Sequence, residues 1–160
     1  MVSKLNELDL DIKRCETVLI ENNYLEIVIA IEELHDKYKN IIDSISNISS
    51  DIVWNYSKKD IKNIQTYLQE YKEELIFKEK QKNIEEKIKD LLYYIEEYHT
   101  LDKNKLIEAI KLIKDINDTN LNLDEKWREL KGCLNLIENQ EREIGIKLLE
   151  IIILVTKLGN

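Results

Sequence analysis

A chain of 160 residues with net charge −8, no proline and only three glycines has little means of making the tight turns that sheets require, so its fold class is all-α. At this length it is read as one domain, large enough to bury about 68–70% of its unfolded surface without disulfides or metals. The acidic balance argues against direct binding to nucleic acid, where affinity comes from Lys and Arg neutralising phosphates. The wide separation of Cys15 and Cys133 suits packed, reduced thiols and not a zinc or redox motif.

The N-terminal stretch MVSKLNELDLDIKRC is acidic where a signal peptide would be basic and then apolar, so a cytoplasmic location is the expectation. Leu5, Leu8, Ile12, Cys15 and Leu19 alternate spacings of three and four, which predicts a first helix over about 4–20. Glu21-Asn22-Asn23 breaks that stripe and closes a helical hairpin spanning 1–48. The second helix is read over 24–48, on Tyr24, Ile27, Val28, Ile31, Leu34, His35, Tyr38, Ile41, Ile42, Ile45 and Ile48. Ser44 to Asp51 reads as a loop and Asp51 to Tyr56 as a short turn, with Val53 and Trp54 packing inward.

Ser57-Lys58-Lys59-Asp60 matches a capping box and opens a segment over 57–98. Ile61, Ile64, Leu68, Tyr71 and Leu75 keep one heptad phase; Phe77, Ile84, Ile88, Leu91, Ile95 and Tyr98 keep another, and the change between them is a stutter. Ion-pair spacings at Glu74/Lys78, Glu79/Lys82 and Glu85/Lys89 support one helix of about 40 residues, roughly 60 Å long, with a two-helix hairpin as the alternative. A fourth helix is expected over 103–116, followed by a loop from Asp115 to Asn122.

Asn122, with Glu125 three residues on, caps the C-terminal segment. Leu123, Trp127, Leu130, Leu134, Ile137, Glu141, Ile144, Leu148, Ile151, Val155 and Leu158 form a single stripe through it. That pattern predicts either one helix with Glu141 as its only polar seam residue, or two helices hinged at an exposed Glu141. The final stretch, Glu143 to Leu158, leaves only a narrow polar strip. A helix apolar on nearly all sides must be covered, by the rest of this chain or by a second copy of it. A membrane is excluded as cover, since spanning one takes roughly 20 mostly apolar residues and this run is interrupted by Lys147, Glu150 and Lys157. The whole reads as an elongated bundle of five or six antiparallel helices with coiled-coil-like packing, the C-terminal helices lying within 103–158.

For function, absences come first. There is no phosphate-binding glycine loop, nucleophile elbow or H-E-x-x-H motif, so the chain is read as non-enzymatic and without a cofactor. Residues 1–48 hold five Lys or Arg against ten Asp or Glu, so most of the negative charge is concentrated there. This favours a protein partner with a basic surface, docking on Asp9, Asp11, Glu21, Glu26, Glu33 and Asp36. The implied class is an acidic interaction module: a stoichiometric inhibitor, of toxin-immunity or phage anti-defence type, or an adaptor. Self-association as a homodimer is expected from the apolar final helix. The alternative is a di-iron or di-manganese carboxylate bundle. Glu32 and His35, and again Glu96 and His99, repeat the Glu-x-x-His spacing that puts carboxylate and imidazole on one helix face.

Overall fold

The computed structural model describes residues 2–48, 55–97, 102–119 and 121–158. Every regular element among them is an α-helix: α1 (Val2–Glu21), α2 (Tyr24–Tyr38), α3 (Asp43–Ser46), α4 (Lys58–Glu97), α5 (Lys103–Asp118), α6 (Leu123–Ile137) and α7 (Arg142–Lys157). No helix among the described residues is long and apolar enough to cross a membrane. The chain divides into two compact units, Met1–Leu75 and Ile76–Asn160.

Unit 1 is the α1–α2 hairpin, α3 and the first half of α4. Its core joins Leu8, Ile12, Cys15 and Val18 of α1 to Ile27, Val28, Ile31 and Leu34 of α2, closed by Ile45 and by Ile61, Ile64 and Leu68 of α4. Burial pushes the Cys15 thiol from an ordinary 9.0 up to about 12, helped by the nearby Asp11 charge, so this cysteine packs as a small apolar group.

The second helix is shorter than the stripe suggested. It ends at Tyr38, whose carbonyl accepts from the amides of both Ile41 and Ile42 (2.9 Å each). Ile42 is extended (φ −125°, ψ 106°) and starts the one-turn α3, so Ser44 to Ser46 is helical and not loop. Ile41, past the end of the helix, is about half exposed, and so is Tyr24 in the first turn of α2. The expected turn with Val53 and Trp54 falls outside the described residues; Tyr56, just after it, is buried and donates to Glu32 Oε1 at 2.9 Å.

At the start of α4 the Asp60 carboxylate reaches back to the Ser57 amide (2.6 Å), as a capping box requires, but the Ser57 hydroxyl donates to that same carboxylate (2.7 Å). The helix runs unbroken for 40 residues. Its stutter has a physical origin: Leu75 packs on the unit 1 core and Phe77 on that of unit 2, so the apolar stripe changes phase where the helix passes from one core to the next.

In unit 2, the core joins Ile84, Ile88, Leu91 and Ile95 of α4 to Leu106, Ile110 and Ile113 of α5, Leu130 and Cys133 of α6, and Ile144, Leu148, Ile151 and Val155 of α7. α5 runs to Asp118, further than expected, because Ile116 and Asn117 face the interior. The Asn117 carbonyl accepts from Gln81 Nε2 at 3.1 Å. α6 opens with a complete capping box, Asn122 and Glu125 exchanging side-chain and backbone bonds of 3.0 Å.

The C-terminal stripe is split between two helices. The Asn139 and Gln140 amides close back on the carbonyls of Leu136 and Ile137, ending α6, and the exposed Glu141 (φ −55°, ψ 142°) starts α7. Gly145 lets α7 turn back closely on α6: a Cβ there would sit 3.3 Å from Ile137 Cγ2 and 3.4 Å from the Ile137 carbonyl oxygen. At the start of α6 the stripe is rotated by about one residue, with Leu123 and Trp127 about half exposed and Lys126 buried. Lys126 reaches the carbonyl of Leu158 through Nζ, satisfying an acceptor that the end of α7 leaves without a helical partner.

Candidate functional site

The acidic first third builds its surface from the α1–α2 turn. Asn22 takes a left-handed conformation (φ 55°), which asparagine tolerates better than most residues, and its amide donates to the Val18 carbonyl at 3.1 Å. Asn23 then caps α2, its Oδ1 accepting from the Leu25 amide at 3.1 Å. This start sets the rotation of α2. With Ile27, Val28, Ile31 and Leu34 turned into the core, the positions on the opposite face are Leu25, Ile29, Glu33 and Asp36. Leu25 is 50% and Ile29 38% exposed, and Ile20, at the end of α1, is 82% exposed. Large apolar side chains therefore stand in water beside Glu21, Glu26, Glu33 and Asp36, all of them exposed.

The six expected docking carboxylates are not equivalent. Asp11 is half-buried and accepts from Lys37 Nζ (2.7 Å) and the Tyr38 hydroxyl (2.6 Å). It ties α1 to α2. Burial and this carboxylate hold the Tyr38 hydroxyl well above the usual phenol range. Asp9 pairs with Lys72 of α4 at 2.5 Å. Glu33 pairs with Arg14, and Asp36 with Lys39 at 2.6 Å; the Lys39 contact holds the Asp36 carboxyl below its ordinary value. Glu21 and Glu26 are in no ion pair among the described residues. Exposed pairs of this kind are weakened by solvent and salt, so an incoming Lys or Arg can take Glu33 or Asp36 from its present partner at little cost. Asp9, Glu21, Glu26, Glu33 and Asp36 are thus exposed, and Asp11 alone of the six is not. Glu21, Glu26, Glu33 and Asp36 lie on or beside the outer face of α2 with Ile20, Leu25 and Ile29, which the sequence marks only as large apolar residues lying off their helix's buried stripe.

Glu32 and His35 are partly exposed on α2 in unit 1, and Glu32 accepts the Tyr56 hydroxyl. Glu96 is exposed near the end of α4 in unit 2, and His99 lies outside the described residues. Among the described residues no three His, Cys, Asp or Glu side chains form a group suited to a metal ion.

Unit 2 presents a second surface. Ile144, Leu148, Ile151, Ile152 and Val155 bury one side of α7, while Ile146, Leu149 and Ile153, spaced i, i+3, i+7 on the other side, are 48%, 39% and 41% exposed. Arg142, Glu143, Lys147 and Glu150 flank this stripe; Glu143 accepts the Tyr94 hydroxyl (2.9 Å), and Glu150 pairs with Lys87 (3.2 Å). Among the described residues of unit 2, the final helix is therefore covered on one side only. No protein-family model matches the chain, and no curated protein or solved structure is similar to it.

Proposed function

We propose that this protein is a non-enzymatic interaction module whose unit 1 binds a basic protein partner, acting as a stoichiometric inhibitor or adaptor. The observation that carries this reading is the outer face of α2 with the adjoining turn, where Leu25, Ile29 and Ile20 stand exposed among Glu21, Glu26, Glu33 and Asp36. Apolar anchors inside a charged rim are the anatomy of a protein interface. The rim steers an oppositely charged partner and the anchors supply most of the affinity.

Self-association through the outer stripe of α7 belongs to the same proposal. Two copies of Ile146, Leu149 and Ile153 laid against each other form an isologous contact, which removes from water the apolar surface that the chain leaves open. Capture from the native host tests the reading on unit 1. A basic protein retained at one-to-one stoichiometry, and released by moderate salt, is the expected result. Retention of nothing, or only of nucleic acid, would refute it.

A further inference from the structure

A groove of about 510 Å³ runs between the second half of α4 and α5 in unit 2. Its floor is apolar, formed by Ile88 and Leu92 of α4 with Ile107 and Ile110 of α5. Its rim carries three exposed lysines, Lys89, Lys111 and Lys114, against one carboxylate, Glu85. None of the three ammonium groups is in an ion pair among the described residues. In a chain of net charge −8, three cations outside any ion pair above an apolar floor give this groove the opposite polarity to the face of α2.

The dimensions select the kind of ligand. Along α4 the lining runs from Glu85 to Leu92, two helical turns or about 10 Å. Because its rim residues are exposed, the groove opens to solvent along its length and cannot enclose most of a small molecule's surface, as ligand pockets do. A helix needs only one face covered, and two turns accommodate anchors at i, i+4 and i+7. The lysines then require acidic residues flanking those anchors.

We propose that the α4–α5 groove receives an acidic amphipathic helix from a second protein, so that unit 2 recruits an acidic partner while unit 1 holds a basic one. The bridging role rests on the interaction reading above; the groove's own specificity does not. A blocked synthetic helix of about 15 residues, with leucines at i, i+4 and i+7 and glutamates flanking them, is titrated into the intact protein and followed by methyl NMR and fluorescence anisotropy. The expected result is saturable binding with shifts confined to Ile88, Leu92, Ile107 and Ile110. The affinity should fall ~10-fold in the doubly exposed-site variant Lys111→Glu/Lys114→Glu and weaken with salt. Three results would overturn the proposal: equal binding of the same peptide with lysines in place of its glutamates, no binding up to about 1 mM, or displacement of the peptide from the groove by dodecanoate at lower concentration. The probe and substitutions lie in unit 2, so none of these outcomes bears on capture by unit 1.

Discussion

The buried ammonium of Lys126 at the start of α6 donates to the carbonyl of Leu158 at the end of α7. Lysine is rarely buried without a partner. Here the chain's apolar stem fills space in the α6–α7 pair and its head closes the terminus of α7, at the cost of a pKa lowered by burial. Lys126→Glu puts a carboxylate against that carbonyl and should cost about 3–5 kcal/mol in urea unfolding. Lys126→Met removes the desolvation penalty of the ammonium but leaves the Leu158 carbonyl without its donor, and should cost less, about 1–2 kcal/mol. Equal losses for the two variants would show that the charge at this position is irrelevant.

The two helical glycines should respond in opposite ways to alanine. Gly132 has nothing within 4 Å of an added Cβ, so Gly132→Ala should raise stability by up to about 1 kcal/mol through helix propensity alone. At Gly145 the new methyl comes within 3.3 Å of Ile137 Cγ2, a branch methyl fixed directly on Cβ that must give by a few tenths of an ångström in the close α6–α7 turn. Gly145→Ala should therefore lose about 1 kcal/mol despite the same propensity gain. Paired thermal melts of the two variants decide this.

Alkaline pH should loosen unit 1. Cys15 is held at about 12 against an ordinary 9.0, and Tyr56 is pushed from 10.0 up to about 12 by burial and its bond to Glu32; Tyr38 is raised as well. A raised acid pKa favours the native state fully below the unfolded value. That contribution is lost as pH climbs from the unfolded value through the folded one, so stability should fall steadily from about pH 9 toward 12. Cys15→Ala should flatten the first part of the decline while lowering stability throughout by its cavity. A decline equally steep in Cys15→Ala would remove the thiol from the account.

The helical stripes were legible because the periodicity of α1, of each half of α4 and of α5 is set by burial in a core. Even the stutter at Leu75 to Phe77 was visible, although its cause, a change from one core to another, was not. The breaks were harder to read. Ile137 and Ile144 keep their spacing across the α6–α7 turn, so a hinge at Glu141 leaves the same pattern as an unbroken helix. At the end of α2, Ile41 and Ile42 continue a stripe that the backbone abandons at Tyr38. Lys126 displaces Trp127 from the core through a bond to a residue 32 positions away, which no local pattern encodes. At the candidate interface, charge composition singles out the first third of the chain and no more than that. Only coordinates separate Asp11, committed to Lys37 and Tyr38, from Glu21 and Glu26.

Self-association should depend on the outer face of α7. By light scattering at high micromolar concentration, wild type should show twice the chain mass. Leu149→Glu, at a site 39% exposed, should show the monomer mass with little change in melting temperature. A monomeric wild type, or a dimer indifferent to Leu149→Glu, would remove α7 from the interface.

The most direct measurement of the central claim compares partner capture by two charge-reversed proteins. One carries Glu21→Lys, Glu26→Lys, Glu33→Lys and Asp36→Lys on the face of α2. The other carries Glu108→Lys, Asp115→Lys, Glu129→Lys and Glu138→Lys, four exposed positions of unit 2 that change the net charge equally. Immobilised against native-host extract and quantified by mass spectrometry, the unit 2 variant should retain the basic partner as wild type does, and the α2 variant should lose it by ~10-fold or more. Equal retention by both variants, or equal loss from both, would contradict the assignment of the outer face of α2 as the docking surface.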